Sequence, residues 1–189
     1  MLQPISASAA QPMRAQRGSW ALNQPTNQVP AMSFLLFALT GLHGLGLLLL
    51  FIATLGKAWW VLPDGGTLNL WYDCEYLNST HGWACTSTGD SPCLRAARGL
   101  LPAALLLSAA SFMLFLWQLR GGPRGSVFIP AGGTQLLAAL AALLGAGLYA
   151  ARGGRPLAGG FGPCFGLVWA AAALALGSGC AYLRLRKGA

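Results

Sequence analysis

The residues of this chain that could do chemistry are few and unevenly placed. All four carboxylates, Asp64, Asp73, Glu75 and Asp90, fall between residues 64 and 90, so a reaction that needs paired acids would have to be built there. The same stretch holds His81 and two cysteines, Cys74 and Cys85, on either side of Asn78-Ser79-Thr80, an N-glycosylation acceptor of the N-x-T type. Two thiols 11 positions apart in a polar loop can close a small ring. In an oxidising compartment such a bridge contributes ~2–4 kcal/mol by restricting the unfolded loop. The competing chemistry is a metal site of Cys74, His81 and Cys85. That spacing fits no compact zinc pattern and brings no close fourth ligand of the right type, so the disulfide is favoured and no metal or other cofactor is expected. Cys93 is the odd thiol, and a free, lipidated or interchain state stays open for it.

Away from that stretch, His43 stands near the middle of an apolar run, with Thr40 three residues before it on the same helical face. Ser108 or Ser111 with His43 is the Ser/His combination considered from the apolar runs. An intramembrane hydrolase would also need an orienting acid and an oxyanion motif, and neither accompanies the pair; the chain is not expected to be an enzyme. A neutral imidazole hydrogen-bonded to a hydroxyl or carbonyl inside a bundle is the favoured reading, with Gln118, Thr134 and Gln135 as candidate partners from other helices.

The elements that must hold these residues follow from composition. Of 189 residues, 55% are hydrophobic and only 8% are Asp, Glu, Lys or Arg, against about a quarter in a soluble domain. Much of the surface must therefore meet lipid. The net charge of +8 comes from Lys and Arg scattered singly or in small groups rather than gathered into a patch, which argues against nucleic-acid binding. Four charge-free runs, 34–56, 99–119, 127–151 and 161–183, are each long enough to span: 23 residues at ~1.5 Å per residue reach about 34 Å, against a hydrocarbon core of ~30 Å. Residues 1–31 are polar and Pro-bearing and are expected to be a disordered extension before the 32–189 membrane domain. The connection 57–98 is long and varied; the other two are short. Seven Lys and Arg on the side of the termini against five opposite favour both termini in the cytoplasm, and the sequon and cysteines of the long loop point outward as well.

Within that loop, Asp64-Gly65-Gly66 suits a turn and Thr67 to Tyr72 a short strand. Trp59 and Trp60, just after the first run, are expected at the headgroup boundary, while Trp71 and Trp83 cover a small sheet. Small residues four apart (Ala141 and Gly145, Gly162 and Gly166, Gly177 and Ala181) are candidates for close helix packing, favoured inside the bundle, with association of copies left open. Leu144 to Arg152 through Tyr149 and Leu176 to Arg184 through Tyr182 match the loose cholesterol-contact pattern.

Leu70-Trp71-Tyr72-Asp73-Cys74 followed by Cys85 resembles the signature of the claudin and peripheral myelin protein superfamily. Trp59-Trp60-x-Leu62-Pro63, Trp83-Ala84-Cys85 and Phe161-Gly162-x-Cys164-Phe165-x-Leu167-x-Trp169 are similar to the epithelial membrane proteins within it. The resemblance implies a mostly α membrane protein: a claudin-like four-helix transmembrane bundle with a small extracellular β-sheet, a Cys74–Cys85 bridge and a glycan on Asn78. It also implies a plasma-membrane location, contact of Leu70 and Trp71 with other membrane proteins such as receptors, channels or adhesion proteins, and a non-enzymatic part in cell-cell contact and proliferation. The alternative is a paracellular barrier or channel component like the claudins proper, and membrane lipids are partners on either reading.

Overall fold

The computed structural model describes residues 28–77, 79, 81–87, 91–121, 127–151 and 158–188. The chain divides into two units, Met1–Leu36 and Phe37–Ala189. The first is described only from Gln28, as the opening turns of a helix, so the expected disordered extension lies outside the described residues up to residue 27. The helix begins inside the segment expected to be unstructured.

Four long helices carry the apolar runs: α1 (Gln28–Leu55), α2 (Pro92–Leu119), α3 (Phe128–Ala151) and α4 (Pro163–Gly188). All four are long and apolar enough to cross a membrane. Large side chains such as Phe37, Leu106, Met113 and Trp117 stand two-thirds or more exposed on them, a surface that suits lipid and not water. Helix α2 starts seven residues before its charge-free run. Ser91 accepts a hydrogen bond from the Leu94 N–H at 3.2 Å, and Pro92 occupies the first turn, so N-cap and proline set the start where the charge pattern did not show it. Its 28 residues reach about 42 Å, longer than a hydrocarbon core of ~30 Å, and Arg95 and Arg98 ride on its first turns.

Among the described residues the strands are β1 (Trp60–Val61), β2 (Thr67–Leu68), β3 (Tyr72–Leu77), β4 (Gly82–Ser87) and β5 (Gly160–Phe161). They form one sheet of order β4-β3-β2-β1-β5, each neighbour antiparallel. The turn at Asp64-Gly65-Gly66 forms, with the Gly66 N–H donating to Asp64 Oδ1 at 3.1 Å and the Leu62 N–H to the Gly66 carbonyl at 2.9 Å. One strand corrects the reading of the sequence. Phe161, expected to open the fourth span, pairs with Trp60 in β5, and α4 begins only at Pro163. An apolar run shows that a segment is buried or lipid-facing but not which hydrogen-bonding pattern it uses.

The core lies where sheet and helices meet: Trp59, Leu70, Leu94, Ala97, Leu101, Ala146, Tyr149 and Val168 are all 1% exposed or less. Small residues bring the helices close. A Cβ at Gly132 of α3 would stand 3.2 Å from the Gly179 carbonyl of α4, and one at Gly179 would stand 3.4 Å from the Gly132 carbonyl. This crossing was not among the expected pairs. Of those, Gly145 packs on Leu101 as an internal contact should, whereas Gly166 and Gly177 are exposed with open space around them.

Candidate functional site

The loop is tied to the helices through the segment that carries the family resemblance. A helix leaves its last four carbonyls without intrahelical partners, and at the end of α1 two of these are taken by indoles. Trp59 Nε1 donates to the Ala53 carbonyl at 2.8 Å, and Trp71 Nε1 to the Thr54 carbonyl at 3.0 Å. Asn69, 1% exposed, accepts on Oδ1 from the N–H groups of Trp71 and Tyr72 at 2.6 and 2.8 Å, a side-chain turn that fixes the backbone corner. Arg98 of α2 donates through Nε to the Leu70 carbonyl at 2.6 Å.

These contacts sort the loop residues by role. Leu70 is wholly buried in the core, which withdraws it from the contact surface expected of it; Trp71, 37% exposed, retains that position. Trp59 and Trp60 are buried too, packed on protein and not presented as the lipid-facing anchors expected of them. Trp59 lies against Tyr149 with ring centroids 4.7 Å apart, and Trp60 meets Phe161 edge-on at 5.0 Å. An indole just after a span suits a lipid interface by composition alone; Tyr149 of α3 and Phe165 of α4 around Trp59, and Phe161 of β5 against Trp60, are what cover these two. In the strands, Cys74 of β3 and Cys85 of β4 face each other directly in register. Asn78, between them, lies outside the described residues. Cys93, in the first turn of α2, is a free thiol, as are Cys164 and Cys180.

The second cluster sits inside the bundle. His43, 1% exposed, has Nε2 at 3.1 Å from the Ser108 carbonyl of α2 and Nδ1 at 2.5 Å from the Tyr182 hydroxyl of α4. A carbonyl can only accept, so Nε2 carries the hydrogen and Nδ1 of the neutral ring receives one from Tyr182. Ser111 donates to the Ala131 carbonyl of α3 at 2.7 Å, and Gln135 of α3 donates through Nε2 to Ser178 Oγ of α4 at 3.3 Å. Buried polar side chains from all four helices thus find partners across the bundle, as a low-dielectric interior demands.

Tyr182 was the missed residue. The expected partners Gln118, Thr134 and Gln135 do not reach His43: Thr134 bonds back to carbonyls of its own helix, and Gln135 is engaged with Ser178. The expected Ser/His combination does come together, with Ser108 Oγ 3.3 Å from Nε2. That nitrogen is already donating to a carbonyl, however, and has no lone pair with which to take the serine's proton. The cholesterol-contact patterns fare no better, because Tyr149 and Tyr182 are both 0% exposed and present no ring to lipid.

Four apolar spanning helices capped by a five-stranded sheet define a multi-pass membrane protein. Residues 32–182 match the PMP-22/EMP/MP20/Claudin family, and the chain belongs to it. It is 44% identical over 161 residues to epithelial membrane protein 3 of Mus musculus, covering 82% of this chain and 99% of that protein. It is 32% identical over 150 residues to epithelial membrane protein 2 of Danio rerio, covering 77% and 92%, and 28% identical over 163 residues to epithelial membrane protein 1 of Oryctolagus cuniculus, covering 82% and 99%.

Proposed function

We propose that this protein is a non-enzymatic plasma-membrane organiser acting in cell-cell contact, proliferation and membrane organisation through lateral association with other membrane proteins. The loop faces outward, both termini are cytoplasmic, Asn78 carries a glycan, and Cys74 and Cys85 are bridged. The register opposes the two cysteines, and Cys85 is disulfide-bonded; both support the bridge and with it the outward face. The observation that carries the reading is Trp71. Its backbone is fixed by Asn69 and its indole N–H by Thr54, yet more than a third of the residue is exposed. A large aromatic held rigid at a surface loses little conformational freedom on binding, the property of residues that dominate protein interfaces.

The test is proximity labelling from the surface of intact cells, followed by reciprocal pull-down of the labelled membrane proteins with the wild type and with Trp71→Ala. The expected result is a variant delivered normally that loses a defined subset of partners. An unchanged partner set would overturn the assignment of Trp71. Expression in a confluent epithelial layer separates the barrier reading: a changed transepithelial resistance belongs to a claudin-type seal or channel, an unchanged one to the organiser.

A further inference from the structure

The level at which Trp71 sits follows from two tethers on different helices. Its indole N–H donates to the Thr54 carbonyl at 3.0 Å, one residue before α1 ends, and Leu55 closes the spanning segment of that helix. Arg98 Nε donates at 2.6 Å to the carbonyl of the peptide that joins Leu70 to Trp71. The level of Arg98 can be counted from the far side of the membrane. Trp117 is largely exposed and stands three residues before Arg120, where an interfacial indole belongs. Trp117 and Arg98 are 19 residues apart on α2, about 29 Å along its axis, against ~30 Å for a hydrocarbon core. Both helices thus put the Leu70–Trp71 corner at the bilayer surface.

What Trp71 shows at that level is hydrocarbon. An indole that anchors a protein to lipid sets its ring against acyl chains and its N–H toward headgroups and water. In Trp71 the ring N–H is turned inward to Thr54, and the backbone N–H is taken by Asn69 Oδ1 at 2.6 Å. The exposed part of the residue therefore offers a headgroup no donor. Leu55, next to Thr54 in the chain, is more than half exposed. Two apolar side chains at one level, one of them held rigid, suit packing against side chains of another protein. A soluble ligand or a protein of an opposing cell meets the loop from the aqueous side, whereas a surface at the bilayer boundary is reached within the plane of the membrane.

We infer that Trp71 meets its partners in cis, packing with Leu55 against the segment of a neighbouring membrane protein that emerges from the same bilayer. The cis contact presupposes the role proposed above for Trp71 and specifies the part of the partner that meets it.

For the test, a photoreactive benzophenone analogue of phenylalanine takes the place of Trp71 in the full-length protein. Cells expressing it are grown in contact with cells that lack it and whose proteins carry heavy isotopes. After irradiation, crosslinked peptides of the surface-delivered protein are mapped by mass spectrometry. Protein adducts should carry light isotopes only and fall within about two helical turns of the end of a spanning segment of the captured protein. Heavy adducts, or light ones on ectodomain surfaces remote from any span, would overturn the cis contact while leaving Trp71 a contact residue. Adducts to lipid alone would overturn both, and make Trp71 an interfacial anchor. The same analogue in place of Leu55 should reach the same proteins at the same segment. If the first variant is not delivered to the surface, the Leu55 probe decides by the same criteria.

Discussion

His43 and Tyr182 are 139 residues apart in the chain and joined by one hydrogen bond in the interior of the helix bundle. The imidazole uses both nitrogens, one toward α4 and one toward α2, so a single side chain of α1 holds the first span to two others. In lipid, apolar contact favours a neighbouring helix little more than a lipid tail. Directional bonds of this kind then decide how a helix sits.

Tyr182→Phe keeps the ring, whose centroid stands 4.4 Å from that of Phe115, and removes only the hydroxyl. It leaves Nδ1 of His43 buried without a donor and should cost about 1–3 kcal/mol. Combined with His43→Phe in a double-mutant cycle, read by unfolding in mixed detergent micelles, the coupling should fall near the ~0.6–1.7 kcal/mol found for hydrogen bonds between membrane helices. Strict additivity would show that the bond contributes nothing.

Leu70 and Trp71 should separate stability from contact. Leu70→Ala empties a fully buried site and should destabilise by roughly 2–5 kcal/mol, with intracellular retention as the cellular readout. Trp71→Ala should be milder and spare surface delivery. Equal retention of the two variants would mean that Trp71 is as structural as its neighbour.

Gly162 is held against the backbone of Ala58, and a Cβ there would fall on the Ala58 carbonyl. The Gly162 N–H donates to the Trp59 carbonyl at 2.9 Å, so the residue cannot move away without opening the β1–β5 pairing. Gly162→Val should lower the thermal midpoint of the detergent-solubilised protein markedly, whereas Gly166→Ala, with open space around it, should leave it within about a degree or raise it slightly through helix propensity. A neutral Gly162→Val would refute the tight approach.

Outward orientation makes two coupled predictions. Asn78→Gln should abolish the mobility shift produced by glycosidase treatment. Cys74→Ser should remove about 2–4 kcal/mol of loop stabilisation and reduce the folded protein at the cell surface, as read by an impermeant reagent on intact cells. A wild-type protein that shows no glycosidase shift and escapes that reagent would reverse the topology.

Much of this was legible because lipid imposes a simple rule: charge-free runs of spanning length must be helices or strands of a closed barrel, and the four runs match the four helices. The small sheet was legible in part, from the turn at Asp64; the run from Thr67 to Tyr72, expected as one strand, gives only Thr67–Leu68 of β2 before Asn69 turns the backbone and Tyr72 opens β3. Its outer strand was not, because the pairing of Phe161 with Trp60 joins segments a hundred residues apart and leaves no local periodicity. The same holds for the burial of Trp59 and Leu70 and for the partner of His43. Sequence shows that a buried imidazole needs partners; which hydroxyl lies at its depth depends on how four helices register against one another, and no spacing within a single helix encodes that.

The pairing of β5 with β1 also sets an order of events during synthesis. One edge strand of the sheet comes from the segment just before the last span, so the partner of Trp60 and Val61 is made only when the ribosome has nearly finished. Until that segment is made, β1 has a partner on one side only, β2, and its other edge stays open.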